Sequence, residues 1–310
     1  MDYSIRQSRL AATFKCMAEK CPSTCCSGWS VVWTKDEILR LKDSCTADLG
    51  ERADIAFPCV DTYVPIQMNK DDLCPFFCDG LCSIQSQLGN EYLSYTCREY
   101  PGITRLDGDI FTHTCKNTCY RVMERVFLED DCMELFLKET GETKIPAIIT
   151  PFPAEYIEAA DELGKIILQC SGDVRAVISE LMNKAVYDIN SEQYFKEIFG
   201  VDLIVTHNDE EMKRSEEVLN SYCKNAVNNL ISSIYMEWRT HGISEELSPE
   251  ENICVFLFSC DVMIKGAQGA AVYSSSHEEF ICTMCDLAGM LYSDTHTAEK
   301  IIAYRNAHCY

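Results

Sequence analysis

Four cysteines fall within eleven residues near the start of the chain, as Cys16, Cys21, Cys25 and Cys26 in "FKCMAEKCPSTCCSGW". Cys74 and Cys82 follow in "CPFFCDGLC", Cys97 in "TCREYP", and Cys115 after a β-prone stretch. Thirteen of the 20 cysteines lie in the first 132 residues. Thiols at this density need either oxidised partners or a metal, because reduced thiolates packed together repel and oxidise. Disulfide scaffolds are small, secreted and led by a signal peptide. This chain has 310 residues, enough for one or two ordinary cores. Its opening "MDYSIRQSRLAATFK" has no apolar stretch of signal-peptide length. No run approaches the ~18 apolar residues of a membrane span. The expectation is a cytoplasmic protein whose cysteines are reduced and hold metal. Adjacent Cys25 and Cys26 rarely reach each other as a disulfide, whereas both can ligate.

Spacing leaves the metal open. Zinc sites usually show paired C-x2-C knuckles, often with histidine. Here the gaps are irregular, and His113 is the one histidine in the cysteine-rich segment. Iron–sulfur clusters accept four thiolates at irregular spacing. Thiolate-only ligation suits either an iron–sulfur cluster or an all-cysteine zinc site, and the former is favoured.

The formal net charge is -22. Residues up to 150 carry 16 Lys and Arg against 23 Asp and Glu, and the remainder 11 against 26. Nucleic acid and anionic membrane are poor partners for such a field, while a lysine presented by another protein is drawn to it. Acidic runs also serve plain solubility.

The second half reads as helix. Tyr156, Ala159, Ala160, Leu163, Ile166 and Ile167 form one stripe at helical spacing, as do Val174, Val177, Ile178, Leu181 and Ala185. The second helix has Ser171 or Asp173 as its cap. A long helix is expected over 208–241, then others near 249–265, 277–293 and 297–307. The first half is irregular. Thr34 and Glu37 predict a capping box, "CSIQSQLG" a short helix stopped by Gly89, and "ITRLDGDIFTHTC" a hairpin. The proline-rich stretch 144–156 is the best boundary. The expected architecture is mainly α: a cysteine-rich, irregular, metal-organised region over 1–145, packed on a helical domain over 146–310.

The order of motifs resembles the flagellin lysine-N-methylase family, within the wider CxxCxxCC-type cysteine-rich group of iron–sulfur proteins. Phe14, Cys16, Cys21, Cys25, Cys26, Gly28 and Trp29 carry the first block. Cys74, Pro75, Phe76, Leu81, Cys82 and Ile84 carry the second. Gly89, Tyr92, Leu93, Cys97, Arg98, Tyr100 and Pro101 carry the third, and Cys115 matches the last family cysteine. Cys78 and Cys119 stand outside the pattern and are read as bystanders. The resemblance implies methyl transfer from S-adenosylmethionine to lysines of flagellin or a similar surface protein, with a four-iron (4Fe-4S) cluster in the enzyme. Its metal ligands would be Cys16, Cys21, Cys25, Cys26, Cys74, Cys82, Cys97 and Cys115.

The residues themselves do not reveal the cofactor's place. No G-x-G occurs, so a Rossmann-type first turn is missing. The radical-type C-x3-C-x2-C motif is also missing: Gly28 stands where its third cysteine would, and "CPFFCDGLC" is one residue too long. Lysine must lose a proton before it can attack, from a reference pKa near ~10.4. Arg98, Glu99 and Tyr100, beside a ligand cysteine, are the weak catalytic candidates. Trp29 and Trp33 read as core residues, with an aromatic wall for a cation as the alternative. Cys282 and Cys285, like Cys254 and Cys260, sit in apolar helical stretches and read as packing. The competing classes are a non-catalytic metal-binding module in assembly or redox sensing, holding a cluster or zinc, and an electron-transfer oxidoreductase.

Overall fold

The apolar stripes of the second half fold as helices, and the computed structural model of the chain is mainly α, with fourteen α-helices among the described residues. Described are residues 3–29, 31–107, 110–140, 152–170, 172–184, 189–292 and 296–308. The chain gathers into two compact units, Lys15–Pro101 and Met1–Phe14 with Gly102–Tyr310. The proline-rich stretch expected to mark a boundary lies, up to residue 151, outside the described residues.

In the unit Lys15–Pro101, the helices Lys35–Ser44 and Ala47–Ala56 supply most of the apolar surface. The expected capping box forms. Glu37 N–H donates to Thr34 Oγ1 at 3.4 Å, and Thr34 N–H donates to Glu37 Oε2 at 2.9 Å. Ile38, Leu41, Leu49, Ala53 and Ala56 close over Trp33, Phe57 and Phe76. The Trp33 and Phe57 rings are 5.1 Å apart, those of Phe57 and Phe76 6.3 Å. Burying each such ring contributes roughly 1.5–3 kcal/mol. The strand Val32–Thr34 pairs antiparallel with Tyr63–Pro65 and sets Trp33 opposite Val64. The short helix Ser83–Gln87 forms as expected and ends before Gly89, whose φ of 103° places it where glycine is favoured.

The other unit contains a four-stranded sheet in the order Gly102–Asp107, Ile110–Cys115, Tyr3–Ser8, Leu135–Thr140. The first two are the expected hairpin, paired antiparallel with Ile103 opposite Thr114. Tyr3–Ser8 runs parallel to Ile110–Cys115 and antiparallel to Leu135–Thr140. No apolar alternation in the sequence announces the pairings made by Tyr3–Ser8. The stripe Ala160, Leu163 and Ile167 is buried in the helix Ala154–Leu168, but Ile166 is 46 % exposed. In the helix Val174–Lys184 the buried positions are Val174 and Ile178, and of the two expected caps Asp173 accepts the Arg175 N–H at 3.0 Å, while Ser171, like Ala185, lies outside the described residues.

The long helix expected over 208–241 is interrupted. Asp209–Tyr222 and Ala226–Glu237 are separate helices, and a π-helical turn, Trp238–Gly242, follows. Cys223 is extended, Asn225 N–H donates to Asp130 Oδ1 at 3.0 Å, and Asn229 Nδ2 donates to Glu129 O at 2.8 Å. The Asp130 carboxylate thus takes the backbone N–H of Asn225, which a continuous helix would have bonded internally, and the Asn229 side chain anchors the next helix. Ser191–Phe199, capped by Asn190, is a helix the sequence pattern did not announce.

Pro249–Tyr273 has 25 residues and opens with Ser248 and Glu251 in a capping box and proline in its first turn. The expectation that no segment approaches a membrane span is corrected here. By length and composition this helix is apolar enough to cross one, although 72 % of its most apolar window is buried within the fold. Ser259, Asp261 and Lys265 interrupt the apolar run and hid it from a count of consecutive residues.

Gly269 in this helix abuts the carbonyl of Ile204 so closely that a Cβ would collide with backbone. Gly269→Ala should lower stability by about 1–3 kcal/mol, as overpacking does, read by chemical denaturation. Glu237 is 1 % exposed, and its Oε2 accepts the Asn117 N–H at 2.8 Å. Burial, only partly offset by that bond, pushes its carboxyl up from 4.5 to about 7. The folded state therefore holds this proton more tightly than the unfolded chain does. The contribution is fully present below pH ~4.5 and is lost as pH rises through about 7. Glu237→Gln should flatten that part of the stability–pH profile, the difference growing to the order of 3 kcal/mol, in denaturation series from pH 4 to 8.

Candidate metal centre

Three separated segments of the unit Lys15–Pro101 each deliver thiols to one side of its core. Cys74, Cys82 and Cys97 are half-buried and pack against that core. Cys26 is fastened to the second segment by its own backbone: Cys74 N–H donates to Cys26 O at 2.8 Å, and Ser27 bridges to Leu73. Cys82 ends a two-residue hairpin, Phe77–Cys78 against Leu81–Cys82, whose turn residues Asp79 and Gly80 both have positive φ. An Asp-Gly pair is what such a turn requires, and Asp79-Gly80 is the local signal for this hairpin. Cys97 lies in the short helix Tyr95–Glu99, where its N–H donates to the Ser94 cap at 3.1 Å. Glu37 binds this helix to the capping box, because its Oε1 accepts the Tyr95 N–H at 2.8 Å.

Cys26, Cys74, Cys82 and Cys97 lie within electrostatic reach of one another, and none is in a disulfide. Burial is the main cause that pushes Cys74 up to about 12 and Cys97 up to about 11, and it also raises Cys82. The neighbouring thiols add to each rise, since a second thiolate repels the first. Cys26 is pulled down to about 7, chiefly by its hydrogen bond with Cys25. Such a set is costly to ionise by itself, and a cation would offset that cost.

The other four expected ligands are placed differently. Cys16 is exposed, with its sulfur accepting the Ala18 N–H at 3.3 Å. Cys21 donates to Ser23 O at 2.7 Å, and Cys25 is exposed beside Cys26. Cys115 belongs to the other unit, where Cys119, Arg125 and Glu237 are its charged neighbours and burial pushes its thiol up. Cys78 meets Asp79 at 3.6 Å. No group of three or more His, Cys, Asp or Glu among the described residues is drawn to metal-ligating geometry. The donor chemistry of the inner four is thiol only, and that fits an iron–sulfur cluster or a four-cysteine zinc ion.

The catalytic candidates flank this group. Arg98 Nε donates to Glu99 Oε1 at 3.4 Å, and the guanidinium stands 5.9 Å from the Tyr95 ring centroid. Tyr100 meets Trp29, ring centroids 5.4 Å apart, which joins the Cys25–Cys26 loop to the Cys97 segment. Trp29 Nε1–H also donates to Cys25 O at 2.7 Å. Neither the Trp29–Tyr100 contact nor the bond from Tyr95 N–H to Glu37 was visible in the spacing of residues.

Comparison with known proteins gives a distant relationship. The chain is 22 % identical over 148 residues to the flagellar biosynthetic protein FliU of Salmonella muenchen, covering 45 % of this chain and 86 % of that protein. It is 22 % identical over 143 residues to the lysine-N-methylases of Salmonella typhimurium and Salmonella choleraesuis, covering 43 % of this chain. The match spans only 35 % of those lysine-N-methylases' own length. No family model and no solved structure matches.

Removing the Glu37 carboxylate tests how the Cys97 segment is held. Glu37→Ala should cost about 0.5–2 kcal/mol for the lost cap and make the backbone amides of 94–99 exchange faster. Glu37→Gln, with one acceptor oxygen in place of two, should restore only one of the two bonds and so about half of the loss, read by denaturation and amide hydrogen exchange. The chain is thus a distant relative of lysine-N-methylases, in a fold that gathers thiols from three segments around one small core.

Proposed function

We propose that this protein is a protein-lysine N-methyltransferase that uses S-adenosylmethionine and an iron–sulfur cluster, with flagellin or a similar surface protein as substrate. The observation that carries the reading is the gathering of Cys26, Cys74, Cys82 and Cys97 in a chain distantly related to lysine-N-methylases. Those four thiols would hold the cluster, with Cys16, Cys21, Cys25 and Cys115 as the remaining candidates. Such a cluster would supply a thiolate-bound iron centre, able to take part in electron transfer or to bind an amino-acid group.

The chain's own residues would do the rest. A substrate lysine is attracted by the acidic surface, and its ammonium must give up a proton before nitrogen can attack the sulfonium methyl. Glu99, or Tyr100 as its phenolate, would accept that proton in this reading, with Arg98 holding Glu99 through its ion pair. The site belongs to a cytoplasmic protein in this reading. The second reading, a non-catalytic module holding a cluster or zinc, is favoured by the thiol-only donor set, which zinc satisfies equally well.

Protein purified without oxygen should be brown, with broad absorption near ~400 nm and stoichiometric iron. Colourless protein with stoichiometric zinc would favour the module. Labelled S-adenosylmethionine should transfer its methyl to lysines of flagellin. Cys26→Ser and Cys74→Ser, made separately, should each lower iron content and methylation together, because a hydroxyl replaces a thiolate ligand poorly. Full iron and full activity in both variants would remove these residues from the centre.

A further inference from the structure

Trp29 differs from the other two tryptophans of the chain. Trp33 and Trp238 are 1 % and 2 % exposed, whereas Trp29 is half-buried at the rim of the amino-terminal core. Its indole is fixed by its polar edge, the Nε1–H donating to Cys25 O at 2.7 Å. Gly28, with φ of 77°, turns the chain just before it. The Tyr100 ring lies 5.4 Å away, inclined by 40°. Two motif aromatics 71 positions apart therefore form one inclined wall between the segments that bring Cys25, Cys26 and Cys97. The nearest basic side chain in sequence, Arg98, is directed to Glu99 and to the Tyr95 ring instead. Acidic residues outnumber basic ones across residues 15–101, so the surroundings favour a cation.

We propose that Trp29, with Tyr100 beside it, is the binding surface for the substrate amine, a lysine side chain whose affinity rises as it gains methyl groups. An aromatic face attracts a cation within about 6 Å, and a methylated ammonium, being weakly hydrated, loses least on leaving water. The apolar stem of lysine lies along the same rings. The wall thus selects lysine by its charge and its stem, and retains the methylated product longer than the unmodified side chain. The assignment rests on the lysine-methyltransferase reading but is tested apart from it.

The probe is a pentapeptide of glycine, alanine and one central trimethyllysine, titrated into the anaerobically purified full chain without S-adenosylmethionine. Because the other two tryptophans are buried, fluorescence quenching by acrylamide reports mainly on Trp29. The peptide should change the emission saturably and protect against quenching. It should bind at least fivefold more tightly than the same peptide carrying the uncharged carbon isostere of trimethyllysine. Trp29→Leu should abolish that preference, and Trp29→Phe should keep most of it. Where Trp29→Leu loses iron or folds poorly, Tyr100→Leu and the wild-type protection measurement carry the test. Equal affinity for the two peptides, or no protection in the wild-type protein, overturns the assignment. Methylation of flagellin together with equal affinities sinks this inference alone. Selective trimethyllysine binding without any methyl transfer sinks the enzymatic reading and leaves a methyl-lysine-binding surface.

Discussion

The unit Lys15–Pro101 depends on the packing of Trp33 against Phe57 and of Phe57 against Phe76. The unit's regular elements are short, none longer than 10 residues, and its cysteine segments make little apolar surface of their own. They are positioned because Cys74, Cys82 and Cys97 sit on the side of that aromatic core, in company with Tyr92 and Leu88. The same burial that orders these thiols makes their ionisation expensive. Order and electrostatic cost thus come from one source.

What the sequence revealed followed from how local each signal was. The Thr34–Glu37 box, the pairing of Gly102–Asp107 with Ile110–Cys115 and the helices near 249, 277 and 297 involve residues close in the chain, and their spacing sufficed. The helix break at Cys223 depends on Asp130 and Glu129, some ninety residues earlier, so no periodicity could show it. The second carboxylate oxygen of Glu37 likewise serves Tyr95, far along the chain. Cysteine density drew attention to residues 15–101, because thiol clusters are conspicuous in composition. Which thiols approach one another was set by backbone bonds such as Cys74 to Cys26, which carry no side-chain signature.

In the larger unit, buried cations are matched one by one. Arg125 meets Glu129 through both carboxylate oxygens and also donates to Leu10 O at 3.2 Å and Thr13 Oγ1 at 2.9 Å. Arg239 pairs with Asp161 at 3.2 Å, and Arg105 stands 3.2 Å from the Phe152 ring centroid. Removing one partner of such a pair costs far more than the pair contributes, since a buried charge is left alone. These matches explain how a strongly acidic chain can bury arginine at all.

The strand Tyr3–Ser8 lies between Ile110–Cys115 and Leu135–Thr140. Synthesis on the ribosome runs at about 5–20 residues per second, so this first strand waits several seconds before either neighbour exists. The intervening residues 15–101 have a core of their own and can close during that interval. Their collapse shortens the effective loop that the sheet must later close, which lowers the entropic cost of that late pairing. The order of folding would then be inside out: the inserted unit first, and the strand that precedes it last.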